Sequence, residues 1–370
     1  MRILPRTLIC IALATVCAKR GKTSRAKPRN EAQLSGSANK DNARLPELPG
    51  VTNKDEAQLP GLRILTYSVD IRGQPSVSFL EQSFCRTSAN TSACPIVNLA
   101  LFDRLHRRTF RRNILLTKKM AALHRYIEFL DPKVVVLFLD SIDVFFVGCG
   151  AGNSPVRPPP MSTQELLRNR ILDILDRSKA TVIFGAEFGE FDMPYALPDP
   201  PQHAFDMCRA RVDPASVRDF TSCASWGHCS SASRPLLKFA NTGIVAGRAG
   251  DLLRVTDPIA VVRNKTLSGK TDQGKYISFF LQPHSHPDGA MTLDYCSELA
   301  LNVMVVTNIS FTMDRDARRV SFPSPWDVGP DLCFMHWNGP SKKYKSFVDI
   351  IDTVVPGGCS QNKPFYLRHC

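Results

Sequence analysis

The sequence predicts an α/β fold in which a mixed, mostly parallel sheet is flanked by helices. Residues 134–139, which read VVVLFL, form an apolar run of the kind that is buried on both faces of a parallel sheet. A helix pattern precedes this run, and a second helix pattern leads from it to another apolar strand at residues 181–184. Strands and helices that alternate along a chain favour parallel neighbours in one sheet.

The elements before residue 134 are predicted from composition and periodicity. Residues 63–69 and 94–101 are rich in β-branched and apolar residues, so each segment predicts a strand. Residues 113–130 predict a helix, because their apolar residues recur at steps of three and four, and Pro132 follows its end. The apolar residues of this helix are Leu116, Met120, Leu123, Ile127 and Leu130.

The elements after residue 139 continue the α/β pattern. Ser162 and Glu165 have the spacing of a capping box, which predicts the start of a helix that continues to residue 175. A polar, glycine-containing loop is expected at residues 239–243, and a helix is expected to begin at residues 271–273. Three short apolar segments predict the last strands, at residues 291–293, 303–306 and 332–335.

The first 18 residues have the layout of a secretory signal peptide. Arg2 and Arg6 precede an apolar run at residues 8–18, and small residues surround Cys17 near its end. The chain is therefore expected in the secretory pathway, in the ER or Golgi lumen, or outside the cell; a retained signal-anchor is the alternative. The apolar run at residues 8–18 is the longest candidate and is shorter than the roughly 20 residues that span a bilayer, so no transmembrane helix is expected in the mature chain.

Residues 19–61 predict a disordered stem in front of a single globular domain at residues 62–370. The stem is rich in Lys, Arg, Asn, Ser and Pro and poor in aromatic residues, a composition that cannot bury enough apolar surface to fold. A short motif at residues 39–46 returns at residues 53–60. Two copies are too few for a solenoid, so we expect a flexible spacer.

The cysteines predict disulfide bonds. Two of the 12 cysteines lie in the signal peptide, and the even number that remains is typical of an exported, disulfide-bonded chain. The closest pairs are Cys85/Cys94 and Cys223/Cys229. A zinc site within residues 208–229 is a less favoured alternative, because the spacing of its cysteines and histidine fits no zinc motif.

The expected export also bears on which partners the basic net charge suggests. The formal net charge is +13, but an exported protein meets little nucleic acid, so no nucleic-acid partner is expected. Anionic sugars and nucleotide diphosphates are better candidates for a basic surface. Three glycosylation sequons, at Asn90, Asn264 and Asn308, agree with export and predict a glycoprotein.

A pair of carboxylates follows the central apolar strand. Asp140 and Asp143 come directly after residues 134–139, and open α/β sheets bind their ligands just beyond the carboxyl ends of the strands. Two carboxylates at that edge suit a hard divalent cation such as Mg²⁺ or Mn²⁺. The alternative interpretation is an ordinary strand-end turn, because Asp is frequent in turns.

Five further polar motifs follow the later strands in a fixed order. With the Asp140/Asp143 motif, they resemble the glycosyltransferase domain of procollagen lysyl hydroxylases and, more broadly, the GT-A nucleotide-sugar transferases. The resemblance covers residues 63–345. The motifs are LFLDSIDVFF (137–146), FGAE (184–187), FANTGIVAGRA (239–249), TDQ (271–273), LDYC (293–296) and HWNGPSK (336–342).

The resemblance implies a GT-A-like, Rossmann-like catalytic domain at residues 62–370, with a UDP-sugar as donor and Mn²⁺ (or Mg²⁺) as metal. Asp140, Asp143 and His336 match the metal ligands. Gly339 and Lys342 match the residues that face the diphosphate, to which Asp140 is also linked through the metal.

The resemblance also implies the reaction. Asn241 and Asp272 match residues that face the transferred sugar or the acceptor, and Asp272 is the candidate catalytic carboxylate. A hexose (glucose or galactose) is expected to pass to a hydroxyl of a glycoprotein or glycan acceptor, with retention of configuration. Glu187 and Asp294 are expected to shape the pocket. One departure concerns the acceptor: the family usually has two adjacent acids before the Gln, where this chain has Thr271 and then Asp272.

Two other functions remain open at this point. The first is a catalytically inactive module of the same fold that binds a glycan or a nucleotide. The second is a metal-dependent hydrolase of phosphate esters or glycosides. Turnover of a UDP-sugar separates an enzyme from a binding module, and formation of a glycoside separates a transferase from a hydrolase.

Overall fold

A six-stranded mixed sheet with helices on both faces forms the centre of the protein. In the computed structural model, the described residues are 61–69, 75–85, 94–101, 112–141, 143–149, 162–187, 239–257, 271–280, 291–303, 312–314, 319–321, 332–339 and 345–355. All of them belong to one compact unit, Ala57–Cys370. The signal peptide, the stem and the three sequons predicted above lie outside the described residues.

The described elements alternate between strands and helices. The first are β1 (Leu62–Thr66), α1 (Phe79–Cys85), β2 (Ile96–Asn98), a 3-10 turn (Leu99–Leu101), α2 (Arg112–Ile127), β3 (Val135–Leu139), β4 (Val144–Phe146), α3 (Thr163–Ser178) and β5 (Val182–Glu187). The later ones are β6 (Phe239–Arg248), α4 (Ala249–Thr256), α5 (Asp272–Phe280), β7 (Met291–Leu293), β8 (Ala300–Asn302), β9 (Thr312–Asp314), β10 (Arg319–Ser321), β11 (Phe334–His336) and α6 (Lys345–Val354).

The main sheet has the strand order β2-β1-β3-β6-β5-β7. Strands β2, β1 and β3 are parallel, as are β5 and β7, whereas β6 runs antiparallel to both of its neighbours. Five of the six strands therefore point the same way, and their carboxyl ends meet at one edge. The predicted α/β architecture with a mixed, mostly parallel sheet is confirmed.

Strand β3 is buried on both faces, as its apolar sequence predicts. Val136 and Phe138 pack into the core that contains residues of α2 and α4, while Val135, Leu137 and Leu139 pack into the core that contains residues of α3. Full burial of an aliphatic or aromatic side chain contributes about 1.5–3 kcal/mol to stability. The two cores therefore fix the position of β3, and with it the start of the polar segment that follows.

Two predicted helices are confirmed, together with the sequence features that predicted them. Met120, Leu123 and Ile127 are the buried residues of α2 that the three-and-four spacing identified. Helix α3 begins where the capping box predicts, since the Glu165 N–H donates to the Ser162 hydroxyl at 3.2 Å.

A second sheet, with the order β4-β11-β8, meets the same edge of the molecule. Strand β4 is antiparallel to β11, with Val144 opposite His336. Strand β8 is parallel to β11, with Asn302 opposite His336. This register brings Asp143, which precedes β4, into the neighbourhood of His336 and Asn302. A separate pair of strands, β9 and β10, is antiparallel.

Several predicted boundaries are wrong. The loop expected at 239–243 is the start of β6, which pairs with β3 on one side and β5 on the other and so satisfies its backbone groups in the sheet. Strand β2 extends over three residues because its pairing with β1 has only that length. Strand β8 is Ala300–Asn302, just before the strand expected at 303–306, of which residues 304–306 lie outside the described residues, and the strand expected at 332–335 is shifted to include His336.

Two disulfide bonds join described residues. Cys85–Cys94 was predicted from its short separation, and it is confirmed. Cys149–Cys333 joins the end of β4 to the residue before β11 across a sequence separation of 184, which no spacing argument identifies. Residues 208–229, with the predicted Cys223/Cys229 pair and the alternative zinc site, lie outside the described residues.

Within the described ranges, each helix is too short or too polar to cross a bilayer.

Candidate metal centre

Three side chains with metal-binding atoms converge at the carboxyl edge of the main sheet. Asp140 follows β3, Asp143 precedes β4, and His336 ends β11. One ligand atom from each residue lies within 4.8 Å of the other two. His336 Nε2 is 3.4 Å from Asp143 Oδ1 and 3.9 Å from Asp140 Oδ2. We call these three residues the metal cluster.

Main-chain hydrogen bonds hold the two aspartates of the metal cluster in place. The Asp140 N–H donates to the carbonyl of Gly243 in β6 at 2.7 Å, and the Trp337 N–H donates to the carbonyl of Asp143 at 2.8 Å. Between them, the Ser141 hydroxyl donates to the carbonyl of Tyr67 at 2.8 Å. The segment that carries both carboxylates is therefore fastened to β6, to the residue after β11 and to the residue after β1.

The chemistry of these three residues fits a metal ion. Carboxylate oxygens and an imidazole nitrogen are ligands of divalent cations. Asp143 and His336 are almost completely buried, while Asp140 is partly exposed, so one side of the cluster is open to a ligand. Two carboxylates placed close together repel each other, and a bound cation relieves that repulsion. The Asp140, Asp143 and His336 group could therefore hold a metal ion.

A lysine that the sequence analysis did not identify also reaches the metal cluster. Lys119 of α2 is buried, and its Nζ donates to Asp140 Oδ1 at 2.9 Å. Its ammonium offsets the charge of one of the two carboxylates. The signal was present in the sequence, because Lys119 lies three residues after Leu116 and four before Leu123, on the apolar stripe of the helix. A charged residue in such a stripe is unusual unless it is paired.

Gly243 leaves the space that the metal cluster occupies. A Cβ atom at this position would lie 2.4 Å from His336 Cε1 and 2.8 Å from Asp140 Oδ2. Both distances are below any normal contact. The glycine in the FANTG motif is therefore required by the close approach of β6 to two of the candidate ligands, and not by a turn.

A second polar cluster surrounds Glu187, the last residue of β5. Its carboxylate accepts hydrogen bonds from Asn241 Nδ2 at 2.8 Å, from Gln273 Nε2 at 2.6 Å and from Asn338 Nδ2. The donors come from β6, from α5 and from the residues after β11. We call these four residues the Glu187 cluster. It ties three of the motifs to the end of β5, so Glu187 organises the site, as the sequence analysis expected.

Burial dominates the acid–base behaviour of Glu187. Removal from water raises its pKa to about 7, although the hydrogen bonds from Asn241 and Gln273, the nearby His336 and the bond from Asn338 oppose the shift. The carboxyl group therefore exchanges its proton near neutral pH. The two clusters are linked through Asn241, whose Oδ1 accepts the Gly243 N–H at 2.7 Å.

Asp294 has a different function from the metal cluster. It is buried, and its carboxylate accepts three backbone N–H groups, from Glu298, Leu299 and Ala300, at 2.7–3.0 Å. Burial raises its pKa to about 6, and these backbone bonds oppose the shift. Asp294 therefore shapes the turn that leads into β8, and its expected role in shaping the pocket stays a prediction.

The structure brings together only some of the predicted site residues. Asn241 is a member of the Glu187 cluster and also accepts the Gly243 N–H beside the metal cluster, and Asp272 is the first residue of α5, next to Gln273. The side chain of Asp272 is outside the described part of the structure, so its catalytic assignment stays a prediction. Gly339 is exposed and has a φ of 62°, a conformation that favours glycine. Lys342 lies outside the described residues.

Comparisons with known proteins identify no family for this chain. No protein-family model matches the sequence, and no curated protein matches it either. A function for this chain is therefore inferred from the motifs and from the geometry of the site.

Proposed function

We propose that this chain is a metal-dependent hexosyltransferase of GT-A-like fold, which moves glucose or galactose from a UDP-sugar to a hydroxyl of a glycoprotein or glycan acceptor. The observation that carries this proposal is the convergence of Asp140, Asp143 and His336 at the carboxyl edge of the sheet. These are the three residues that the resemblance to nucleotide-sugar transferases identifies as metal ligands. His336 lies more than 190 residues after the two aspartates, so the convergence of all three is not a consequence of local sequence.

The surroundings of the metal cluster support a site that binds a phosphorylated ligand. A divalent cation, preferably Mn²⁺, would offset the negative charge of a leaving diphosphate when bound there. Lys119 adds a positive charge at Asp140. Gly339 follows His336 by three residues and has a φ of 62°, a conformation that glycine favours, and its contact with the diphosphate is part of this proposal.

The Glu187 cluster supports the part of the site that faces a sugar. It fixes the amide groups of Asn241, Gln273 and Asn338 by their NH₂ ends. Amide groups that are already fixed suit the hydroxyl groups of a sugar, because a site that is already ordered loses less entropy on binding. Asp272, at the start of α5, remains the proposed carboxylate that stabilises the sugar as it leaves. Retention of configuration remains the expected stereochemical outcome.

The experiment is a donor panel with product detection. The purified chain is incubated with UDP-glucose, UDP-galactose and other nucleotide sugars, with peptide and glycan acceptors, in Mn²⁺ or in chelator. A glycosylated product that forms only with metal supports the transferase. Free sugar without a glycoside supports the hydrolase, and donor binding without turnover supports the inactive module.

A matched pair of variants makes the result specific to the metal cluster. Asp143→Asn keeps the shape of the side chain but removes a charge from the site, and we expect it to abolish transfer. Asp176→Asn removes a carboxylate that is paired with Lys179 on the exposed surface of α3, and we expect it to leave transfer unchanged. Equal activity in the two variants contradicts the proposal.

A further inference from the structure

Asn302 makes two hydrogen bonds that together determine its orientation. It is the last residue of β8, it is completely buried, and it lies opposite His336 in the parallel register of the second sheet. Its Nδ2 donates to the carbonyl of Ala186 at 2.7 Å. Its Oδ1 lies 2.6 Å from Nδ1 of His336.

The carbonyl of Ala186 removes the usual ambiguity of an amide side chain. A carbonyl oxygen only accepts hydrogen bonds, so the NH₂ end of Asn302 must face Ala186. The opposite end, Oδ1, must then face His336. Because Oδ1 also only accepts, the 2.6 Å contact requires a hydrogen on Nδ1 of His336.

The hydrogen on Nδ1 determines whether Nε2 of His336 faces the two aspartates with a lone pair or with an N–H group. In a neutral imidazole, a proton on Nδ1 leaves Nε2 with its lone pair. Nε2 is the nitrogen that faces Asp143 Oδ1 at 3.4 Å and Asp140 Oδ2 at 3.9 Å. With the opposite tautomer, an Nε2–H group would point at these carboxylates and would block the position that a metal ligand needs.

We infer that Asn302 is a positioning residue, which holds His336 in the Nδ1–H tautomer and so reserves Nε2 for a divalent cation. The inference rests on the proposed metal site. It extends the functional set by Asn302, a residue that the sequence motifs did not single out. Partners of this kind, which bond the second nitrogen of a metal-binding histidine, typically change metal affinity by 10–100-fold when they are replaced.

Two substitutions separate a positioning role from a structural one. Asn302→Leu has a similar volume and removes both hydrogen bonds. Asn302→Asp keeps an acceptor for the Nδ1–H group but places an oxygen against the carbonyl of Ala186, so it should lower stability. If Asn302 acts through the tautomer, the Asp variant retains metal affinity although it is less stable, whereas the Leu variant loses affinity.

The first measurement is the tautomer of His336 without metal. Long-range ¹H–¹⁵N correlation spectra of chelator-treated, [¹⁵N]histidine-labelled protein report which ring nitrogen carries the proton, and His336→Gln assigns the signal among the eight histidines. We expect the Nδ1–H pattern in the wild type and in Asn302→Asp, and its loss in Asn302→Leu. Asn98→Leu, which removes another buried asparagine, should leave the pattern unchanged.

The second measurement is Mn²⁺ affinity, followed by the EPR signal of free Mn²⁺. We expect Asn302→Leu to bind 10–100-fold more weakly than the wild type and Asn302→Asp to stay within a few-fold of it. An Nε2–H wild type, wild-type affinity in Asn302→Leu, or equal loss in both variants overturns the inference. If Asn302→Leu does not fold, the inference is tested by the tautomer of His336 in the wild type and by the Mn²⁺ affinity of Asn302→Asp.

The two measurements also distinguish this inference from the proposed function. A wild type that binds no Mn²⁺ overturns the metal centre, and with it any ligand role for His336, whatever the tautomer. A wild type that binds Mn²⁺ with the same affinity as both Asn302 variants leaves the metal centre standing and overturns only the role of Asn302.

Discussion

The metal cluster and the Glu187 cluster lie at the same sheet edge, but their carboxylates have opposite surroundings. Glu187 faces the NH₂ groups of three amide side chains, which satisfy its oxygens. In the metal cluster, Lys119 donates to Oδ1 of Asp140, while Oδ2 of Asp140 and Oδ1 of Asp143 lie 3.9 and 3.4 Å from the Nε2 atom of His336. Acceptors that face donors form a complete network, whereas the group of two carboxylates and an imidazole could hold a metal ion.

This difference separates two functions that look alike in the sequence. Each of these carboxylates comes at or just after the end of an apolar strand, and residue type alone does not say which one binds a ligand. The neighbours distinguish them: amides hold the carboxylate of Glu187 in a hydrogen-bonded network, whereas the two aspartates with His336 form a group that could hold a metal ion. The predictions below either break one cluster and leave the other intact, or measure how far the two differ.

The largest effect is expected at Gly243. In Gly243→Ala, the new Cβ atom would lie 2.4 Å from His336 Cε1, so a ligand of the metal cluster must move. We expect Mn²⁺ affinity to fall by about 100-fold or more, at the upper end of effects seen around metal ligands. Mn²⁺ titration by EPR measures it.

The control for this prediction adds the same atom away from the site. In Gly250→Ala, the new Cβ atom would lie 3.0 Å from Pro132 Cβ, at the start of α4. It should cost stability on the scale of overpacking, about 1–3 kcal/mol, with unchanged Mn²⁺ affinity. A Gly243→Ala protein that binds Mn²⁺ as well as Gly250→Ala contradicts the geometry of the metal cluster.

Removing the carboxylate of Glu187 should mainly lower the free energy of unfolding. Glu187→Leu leaves three buried amide groups without their acceptor, and each such loss costs about 1–3 kcal/mol. We therefore expect the free energy of unfolding, measured by urea denaturation, to fall by at least about 3 kcal/mol. Glu187→Gln should cost much less, because its oxygen still accepts and the Gln273 amide can turn to present its own oxygen. Equal costs would show that hydrogen bonding does not hold this cluster together.

The Glu187 cluster should also make stability depend on pH. The pKa of Glu187 rises from 4.5 to about 7 on folding, mainly because of burial, so its stabilising effect is complete below pH 4.5 and is lost as the pH rises through 7. The loss is about 3 kcal/mol, at 1.36 kcal/mol for each pKa unit. The difference in unfolding free energy between wild type and Glu187→Gln, measured in chelator, should therefore change by this amount between pH 4 and 8. A constant difference would contradict the raised pKa.

The smallest effect is expected at Lys119. The ammonium of Lys119 bonds Asp140 and competes with a metal ion for the same carboxylate. Lys119→Met keeps most of the apolar chain and removes the charge, so we expect Mn²⁺ to bind several-fold more tightly. Isothermal titration measures it, and weaker binding would show that Lys119 supports the metal cluster instead of competing with it.

Much of the fold follows from local sequence rules. The apolar run of β3, the three-and-four spacing of α2 and the capping box of α3 each depend on neighbours along the chain, and each is confirmed. Strand ends are less predictable, because pairing decides them. The 239–243 segment is polar and contains glycine, yet it begins a strand, since residues 239–241 pair with β5 and the strand continues between β3 and β5.

The candidate site likewise contains residues that the sequence identified and residues that it did not. Asp140, Asp143 and His336 were identified because they belong to motifs at strand ends. Asn302 and Lys119 were missed, because their importance comes from a single partner far along the chain: His336 for Asn302, and Asp140 for Lys119. Only the register of the second sheet and the packing of α2 on the main sheet bring these pairs together.

The most direct test of the metal cluster is an Mn²⁺ titration of the wild type and Asp143→Asn, followed by the EPR signal of the free ion. We expect one Mn²⁺ per chain in the wild type and in the surface control Asp176→Asn, and a loss of that site in Asp143→Asn, because the variant removes a charged ligand from a hard cation. A wild type without a stoichiometric site, or an Asp143→Asn protein with unchanged affinity, would contradict the conclusion that Asp140, Asp143 and His336 form a metal centre.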